Sequence, residues 1–431
     1  MAEKKRKSKE QQRKDMAKLA AGAAAAGFAA NRIAKRAGGR SKKSKRRALI
    51  VGILVFIIIA ASGAMYYYDV PPLNGDYFNG QFKSWYMSPD SFVQSDGNLQ
   101  IRYLDVGQGD SILIQLPDGK NMLIDSGKDN AETEDKIIKS ITDLGIDTID
   151  YGILTHTDSD HSGGFDKVVA SDEITFKTFY IPLIKSKLAN DKVDEWYAQA
   201  DYLPKDEEPA GFEIQTVETT TYAKFMQAVL DEGSEVLFSY EGMQIKGDGY
   251  VFDFYNPTYN EYKKVSTPKQ KNNVSPIMIL RFNDKKIMFT GDCDDAESNF
   301  IETAAKGDGT LYDVDVLKVA HHGGRESTSQ NFLNVVKPEY SVISVGENSY
   351  NHPTDEVISR LNSVNSKIFT TQDKGDIILT LSGNKMGWAF AKTDSSYGSA
   401  SDYDAEEVSV ASLMQRIVPT YNTSVFAGGV A

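Results

Sequence analysis

The chain of 431 residues has a single cysteine, Cys293, so no disulfide can form within it. That absence leaves the redox compartment open, because many bacterial surface proteins and most cytosolic proteins do without disulfides. It also leaves Cys293 as a small core residue. Histidine is nearly as scarce. There are five, and they are not scattered as structural histidines tend to be: His156 and His161 share one short stretch, and His321, His322 and His352 follow later in the same domain. Long apolar runs are missing with one exception, and a single span is too few for a channel. No internal repeat is present.

Basic residues are scarce everywhere except at the start. Residues 1–47 carry 17 Lys or Arg against Glu3, Glu10 and Asp15, a net of +14, so the remainder carries −26 of the chain's total of −12. A basic tail and an acidic body belong on different sides of a barrier. The one long apolar run, Ala48 to Ala64, supplies it: 17 residues without a charge, preceded by Lys42-Lys43 and Lys45-Arg46-Arg47 and followed by Tyr66-Tyr67-Tyr68. The length reaches the lower limit for a bilayer span, and the flanking charge and aromatic belt put the N-terminus in the cytoplasm and the C-terminal part outside. A 47-residue charged region is far too long for an ordinary signal sequence, which argues for an uncleaved anchor. The expected organisation is a basic cytoplasmic tail (1–47), a transmembrane anchor (48–68), a linker (69–98), one domain (99–392) with an insertion at about 185–215, and a Ser/Asp/Gly/Tyr-rich, disordered tail (393–431).

Within the domain, Ile101–Leu104, Ser111–Leu116, Met122–Ile124 and Tyr151–Leu154 read as strands, and Ala131–Leu144 as an amphipathic helix. Asp191–Glu208 reads as an acidic, loop-like patch. Tyr222–Leu230 reads as helix, and Glu235–Ile245 and Tyr250–Tyr255 as a strand pair. Further strands are expected at Ile277–Phe282, Lys286–Phe289, Asp315–Ala320, Tyr340–Val345, Ile368–Thr370 and Asp376–Leu381, with a helix at Thr354–Leu361 and the last strand closing the domain. The fold class is α/β. Polar residues recur just after apolar runs: Asp125, His156, Asp292 and the pair His321-His322. Strand ends converging on one edge would form a cleft for metal.

The stretch Thr155-His156-Thr157-Asp158-Ser159-Asp160-His161-Ser162-Gly163-Gly164 packs two His and two Asp into six positions at a strand end, where a rigid sheet can hold them. Clusters of this kind hold catalytic metal in hydrolases. Together with Asp292 and one or both of His321 and His322, they suffice for two divalent ions. Asp292 could instead cap a helix. His352, before Pro353, is either a turn residue or a contact to substrate. Lys318 is either a strand-edge charge or a cleft residue. Gln108 and Asp110 shape the loop or orient ligands rather than bind metal.

The motifs in order are Leu104-Asp105-Val106-Gly107-Gln108-Gly109-Asp110, Leu123-Ile124-Asp125-Ser126-Gly127, the His/Asp stretch, Thr290-Gly291-Asp292, Leu317-Lys318-Val319-Ala320-His321-His322-Gly323 and Asn351-His352-Pro353. This set resembles the metallo-β-lactamase-fold hydrolases, with Asp158 where that superfamily has a second His. It is most similar to the soluble hydrolase domain of ComEC-type DNA-uptake competence proteins, over roughly residues 99–385. The resemblance implies a four-layer αββα sandwich behind the transmembrane helix, with metal at one edge. By the same resemblance, His156 and Asp158 hold a first ion, Asp160 and His161 a second, Asp292 bridges them, and His321 or His322 completes the second site. Asp125 corresponds to a carboxylate that orients a ligand His. The superfamily's usual lone His between the second and fourth motifs is missing; Asn272-Asn273-Val274-Ser275 lies there instead.

The function expected is a membrane-anchored extracellular hydrolase, most simply a phosphodiesterase using two divalent ions, zinc or manganese. Three carboxylates at the centre favour manganese, the harder ion. Asp160, His352 and Lys318 are the catalytic candidates. The substrate would be DNA or a cell-wall phosphodiester such as teichoic acid or phosphocholine. The acidic body argues against broad DNA contact, although Lys263-Lys264, Lys269 and Lys271 form a local basic patch. A hydrolase of a carbon ester, lactone or amide, and a non-catalytic surface binding module, are the alternatives.

Overall fold

The computed structural model describes residues 97–392, apart from 189, 201–202, 205–206, 295–296, 298–299, 302–303 and 305–311. The tail 1–47, the expected anchor 48–68, nearly all of the linker and the tail 393–431 lie outside the described residues. Among the described residues, no helix is long and apolar enough to cross a membrane.

In chain order the strands are β1 (Asn98–Tyr103), β2 (Ile112–Gln115), β3 (Asn121–Ile124), β4 (Thr148–Ile153), β5 (Thr175–Ile181), β6 (Lys185–Ser186), β7 (Thr216–Val217), β8 (Glu235–Phe238), β9 (Gln244–Gly247), β10 (Tyr250–Phe254), β11 (Met278–Phe282), β12 (Lys285–Phe289), β13 (Val316–Lys318), β14 (Tyr340–Ile343), β15 (Lys367–Thr370), β16 (Ile377–Ser382) and β17 (Lys385–Phe390). The helices include α1 (Ala131–Thr142), α2 (Ser159–Ser162), α3 (Phe165–Val169), α4 (Asp191–Ala198), α5 (Thr220–Glu232), α6 (Tyr259–Tyr262), α7 (Pro268–Asn272), α8 (Gln330–Val336) and α9 (Asp355–Ser363). One sheet runs β17-β16-β1-β2-β3-β4-β5-β8 and the other β15-β14-β13-β12-β11-β10-β9, with β6 and β7 forming a small separate pair. Each large sheet is antiparallel on one side and parallel on the other. The parallel pairings are β3/β4, β4/β5 and β5/β8 in the first sheet, and β12/β13, β13/β14 and β14/β15 in the second.

Strand alternation explains the layering. Ile112, Ile114, Met122 and Ile124 join Phe252, Phe254, Leu280, Phe289 and Val316 in the core between the sheets. Their neighbours Leu113 and Leu123 face the other way and pack with Ile137, Ile141, Phe165 and Phe225 beneath the helices. Phe179 lies 5.4 Å from Phe165 and 5.3 Å from Phe225, edge to face. Burying each such ring contributes roughly 1.5–3 kcal/mol. This cluster fixes α3, which continues directly from the His/Asp stretch. α1 begins where Asn130 Oδ1 accepts the Thr133 N–H at 3.0 Å, and α5 ends at Gly233 with φ of 78°.

The structure corrects four sequence expectations. The acidic patch at 191–208 begins as a helix, α4, because Asn190 caps it and Val193 and Tyr197, four apart, are buried on one face. The expected strand over 235–245 breaks at a turn containing Gly242 (φ 86°), and its halves enter different sheets as β8 and β9. β16 does not close the domain; β17 pairs beyond it. Lys318 is not on a sheet edge, since β13 lies between β12 and β14.

Candidate metal centre

Every ligand-type residue follows the C-terminal end of a parallel strand, the position where α/β sheets place their ligand sites. Asp125 follows β3 and His156 follows β4, paired at Ile124↔Ile153. Asp292 follows β12 and the pair His321-His322 follows β13, paired at Met288↔Leu317. Asp160 and His161 are on α2, a single helical turn rather than open loop. Glycines allow the close approach: Gly109 has φ of 146°, and a Cβ there would stand 2.5 Å from the Asp160 carbonyl oxygen. Backbone strain gathers at this edge. Asp125 (φ 57°), His321 (φ 50°) and His322 (φ 52°) are all left-handed without being glycine, at a cost of about 1–3 kcal/mol each.

The first group centres on His161 and His322, both fully buried. His161 Nδ1 lies 2.7 Å from Asp125 Oδ2, and His322 Nδ1 lies 2.9 Å from the Ser344 carbonyl oxygen. Asp125 is itself held by the Thr155 N–H at 2.8 Å and the Thr155 hydroxyl at 2.7 Å. A carbonyl oxygen and a carboxylate can only accept, so each ring carries a proton on Nδ1 and turns Nε2 inward. The two Nε2 atoms are 3.3 Å apart. Around them stand Asp292 Oδ1, 3.2 Å from His161 Nε2, and Asp292 Oδ2 and Asp160 Oδ2, 3.5 and 3.6 Å from His322 Nε2. Two imidazole nitrogens and three carboxylate oxygens converge there.

The second group centres on His156. Its Nε2 is buried without a hydrogen-bond partner, 3.9 Å from Asp292 Oδ2 and 4.0 Å from Asp158 Oδ2. Its Nδ1 meets the Thr155 hydroxyl at 3.1 Å. Asp158 Oδ1 is engaged by the Lys271 ammonium. The residues that stand where a further ligand was missing are structural. Ser275 Oγ accepts the Asp292 N–H at 3.2 Å, and Asn273 Oδ1 accepts the Asp294 N–H at 3.2 Å.

Both groups fit a divalent cation. Their inward atoms are imidazole nitrogens and carboxylate oxygens, and the buried His156 Nε2 and Asp292 Oδ1 lack hydrogen-bond partners. Ligand atoms of His156, His161 and Asp292, and of Asp160, His161 and His322, lie within 4.8 Å of one another. The electrostatics agree. Burial alone would lower His161 and His322, but Asp292 and the carboxylates beside them outweigh it, and both are raised well above the ordinary histidine range. Burial would raise Asp292, yet these two rings hold it well below the carboxylate range. His156 differs, since burial and the neighbouring His161 lower it.

The remaining candidates fall around this core. His321 is partly exposed. Its Nε2 is 3.9 Å from Asp292 Oδ2, and its Nδ1 is 3.3 Å from Asp294 Oδ1 and 3.4 Å from Asn272 Nδ2. His352 stands at the rim, its ring 5.3 Å from that of His321 and 5.6 Å from the exposed Tyr350. Burial and the two neighbouring histidines push His352 down to about 4. Lys318 is fully buried; its ammonium is 2.7 Å from Asp110 Oδ2 and donates to the Val319 carbonyl at 2.9 Å, so it does not face the cleft. Burial would raise Asp110, but Lys318 and then His322, 3.5 Å away, hold it down to about 2. Gln108 is buried in the same loop. The sequence did not disclose Ser344, Asp294 or the Lys271–Asp158 pair. Ser344 acts through its backbone, and Lys271 is 113 positions from its partner. Asp294, two residues past Asp292, was within reach of inspection.

Residues 104–253 match the family described as the metallo-beta-lactamase superfamily. The chain is 25% identical over 301 residues to ComE operon protein 3 of Bacillus subtilis (strain 168), an alignment covering 66% of this chain and 33% of that protein. It is 28% identical over 272 residues to competence protein ComA of Neisseria gonorrhoeae, covering 63% and 30%. It thus spans about a third of the length of the curated relatives it matches. Among solved structures, the metallo-beta-lactamase fold protein YhfI of Bacillus subtilis aligns with 66% of this chain and 100% of its own, at 11% identity and a TM-score of 0.39. The chain therefore carries the metallo-β-lactamase fold, whose general chemistry is metal-dependent hydrolysis. Within that class its sequence is similar to the competence proteins of Bacillus subtilis and Neisseria gonorrhoeae.

Proposed function

We propose that the chain is a metal-dependent phosphodiesterase, anchored in the cell membrane by residues 48–68 with its basic tail in the cytoplasm and residues 99–392 outside. The observation that carries the metal-dependent part is the convergence of buried imidazole nitrogens and carboxylate oxygens. His161 Nε2 and His322 Nε2 face each other at 3.3 Å, ringed by Asp160 and Asp292. The similarity to competence proteins favours a phosphodiester over a carbon ester. The substrate is DNA or a cell-wall phosphodiester such as teichoic acid or phosphocholine; competence is what the name of the Neisseria gonorrhoeae relative states for that protein.

In this reading Asp160, His161, His322 and Asp292 hold one divalent ion, and His156, Asp158 and Asp292 offer a second place. His321 belongs to the rim rather than to the ligand set, because it is partly exposed and its Nε2 is 3.9 Å from the Asp292 carboxylate, against 3.2 and 3.5 Å for those of His161 and His322. A divalent ion bound there supplies Lewis-acid polarisation of a phosphoryl oxygen and lowers the pKa of water. The chain's own groups do the rest. Asp125 and Ser344 fix the tautomers of His161 and His322. The Lys318–Asp110 pair is a positioning device that braces His322 from behind. Asp160, whose carboxylate is partly exposed with Oδ2 3.6 Å from His322 Nε2, would take the proton of the attacking water. His352, neutral near pH 7, hydrogen-bonds the substrate phosphate at the rim.

The test is a hydrolysis panel on the full-length chain. It compares bis-p-nitrophenyl phosphate, DNA, p-nitrophenyl phosphocholine and a lactone, with and without Asp160→Ala. Turnover of a phosphodiester that the variant loses is expected. Turnover of the lactone alone would end the phosphodiesterase reading.

A further inference from the structure

Lys271 sits at the C-terminal end of α7, where its backbone N–H donates to the Thr267 carbonyl at 3.0 Å. Its ammonium pairs with Asp158 Oδ1. Three observations give this contact a role. Among the described residues, Asp158 is the only carboxylate belonging to the His156 group alone, since Asp292 is shared with His161 and His322. His156 brings one buried nitrogen, its Nε2 unpartnered and 3.9–4.0 Å from the carboxylates that face it. The imidazoles nearest this group are His161, whose Nε2 serves the first group, and the partly exposed His321, whose Nε2 is 3.9 Å from Asp292 Oδ2; the segment that follows Lys271 is spent bracing Asp292 and Asp294 through Ser275 and Asn273. The pair is only 16% and 27% exposed, so water screens it weakly.

A divalent ion at His156 and Asp158 would have to displace this ammonium or lie against it, and like charges at such range repel strongly where water is scarce. We propose that Lys271 supplies the positive charge of the His156–Asp158 half of the centre, so that the chain holds one ion tightly, between His161 and His322, and uses an ammonium in place of a second. In the bound state Lys271 is then the cation that meets a phosphoryl oxygen of the substrate on that side. This rests on the metal-centre reading above and changes its stoichiometry.

Metal counting separates the two claims. The full-length chain is equilibrated with excess Mn²⁺, passed through a desalting column and analysed for metal per chain, beside Lys271→Ala, Lys271→Gln and Lys271→Arg, each checked for folding by circular dichroism. One equivalent is expected in the wild type and in Lys271→Arg, and two in Lys271→Ala and Lys271→Gln. Two equivalents in the wild type, or one in both neutral variants, would overturn this inference and leave the metal centre standing. No metal in the wild type would overturn the metal-centre reading, and the inference with it.

Discussion

The two halves of the centre are built differently. Around His161 and His322 each ring has its outer nitrogen fixed, by Asp125 at 2.7 Å and by the Ser344 carbonyl at 2.9 Å, and the inner nitrogens meet across 3.3 Å. Around His156 the outer nitrogen has only the Thr155 hydroxyl, the inner nitrogen stands 3.9–4.0 Å from its carboxylates, and Asp158 is held by Lys271. The ligands on the two sides are the same residue types. What separates them is the row of groups behind the ligands, which fixes tautomer and direction before any ion arrives.

The comparison breaks most readily at the ligands. His161→Ala and His322→Ala are expected to abolish metal retention and to lower hydrolysis of bis-p-nitrophenyl phosphate by roughly 10³-fold, the equivalent of about 4 kcal/mol. His156→Ala should keep its tightly bound ion by elemental analysis. Equal loss in all three variants would mean that the halves are equivalent after all. Asp125→Asn is the next largest. It leaves every ligand in place but weakens the hold on His161, and a competing chelator should report roughly 10–100-fold weaker binding.

Acidification should also separate the halves. Burial lowers His161 and His322, but Asp292 and the neighbouring carboxylates outweigh it, so both keep protons that a binding ion must expel. His156 is lowered and has no such proton to lose. Affinity for the tight ion is therefore expected to fall as pH drops below the raised range in which the two rings give up their protons, read by calorimetric titration in two buffers of different ionisation enthalpy. No proton release would remove the assigned origin of the contrast. The sign for stability is opposite. A raised folded-state pKa gives stability that is full at low pH and lost as pH rises through it, so the metal-free chain should melt lower as pH rises above the ordinary histidine range. The smallest expected effect concerns the ion itself. Asp158, Asp160 and Asp292 make the donor set oxygen-rich, so manganese should support turnover at least as well as zinc in the stripped and reloaded chain. Activity with zinc alone would contradict this.

Much of this edge was legible in the sequence, for a physical reason. Apolar runs predict strands, and polar residues at their ends stand out against them, as at Asp125, His156 and Asp292. The choice between His321 and His322 was not legible. It depends on two successive left-handed residues, φ 50° and φ 52°, that turn one ring inward and the other to the rim. Lys318 could not be placed because its strand is three residues long and its partner, Asp110, belongs to a loop of the other sheet. Lys271 read as part of a basic surface patch, and only the tertiary fold carries it to Asp158. The break within 235–245 was hidden by uniformly strand-like residues on both sides of the turn.

Anomalous diffraction at the manganese edge, from crystals of the manganese-loaded chain, tests the account most directly. The predicted result is one strong peak between His161 Nε2, His322 Nε2, Asp160 and Asp292, with the Lys271 ammonium still on Asp158. A peak confined to His156 and Asp158, or no peak at this edge, would contradict it.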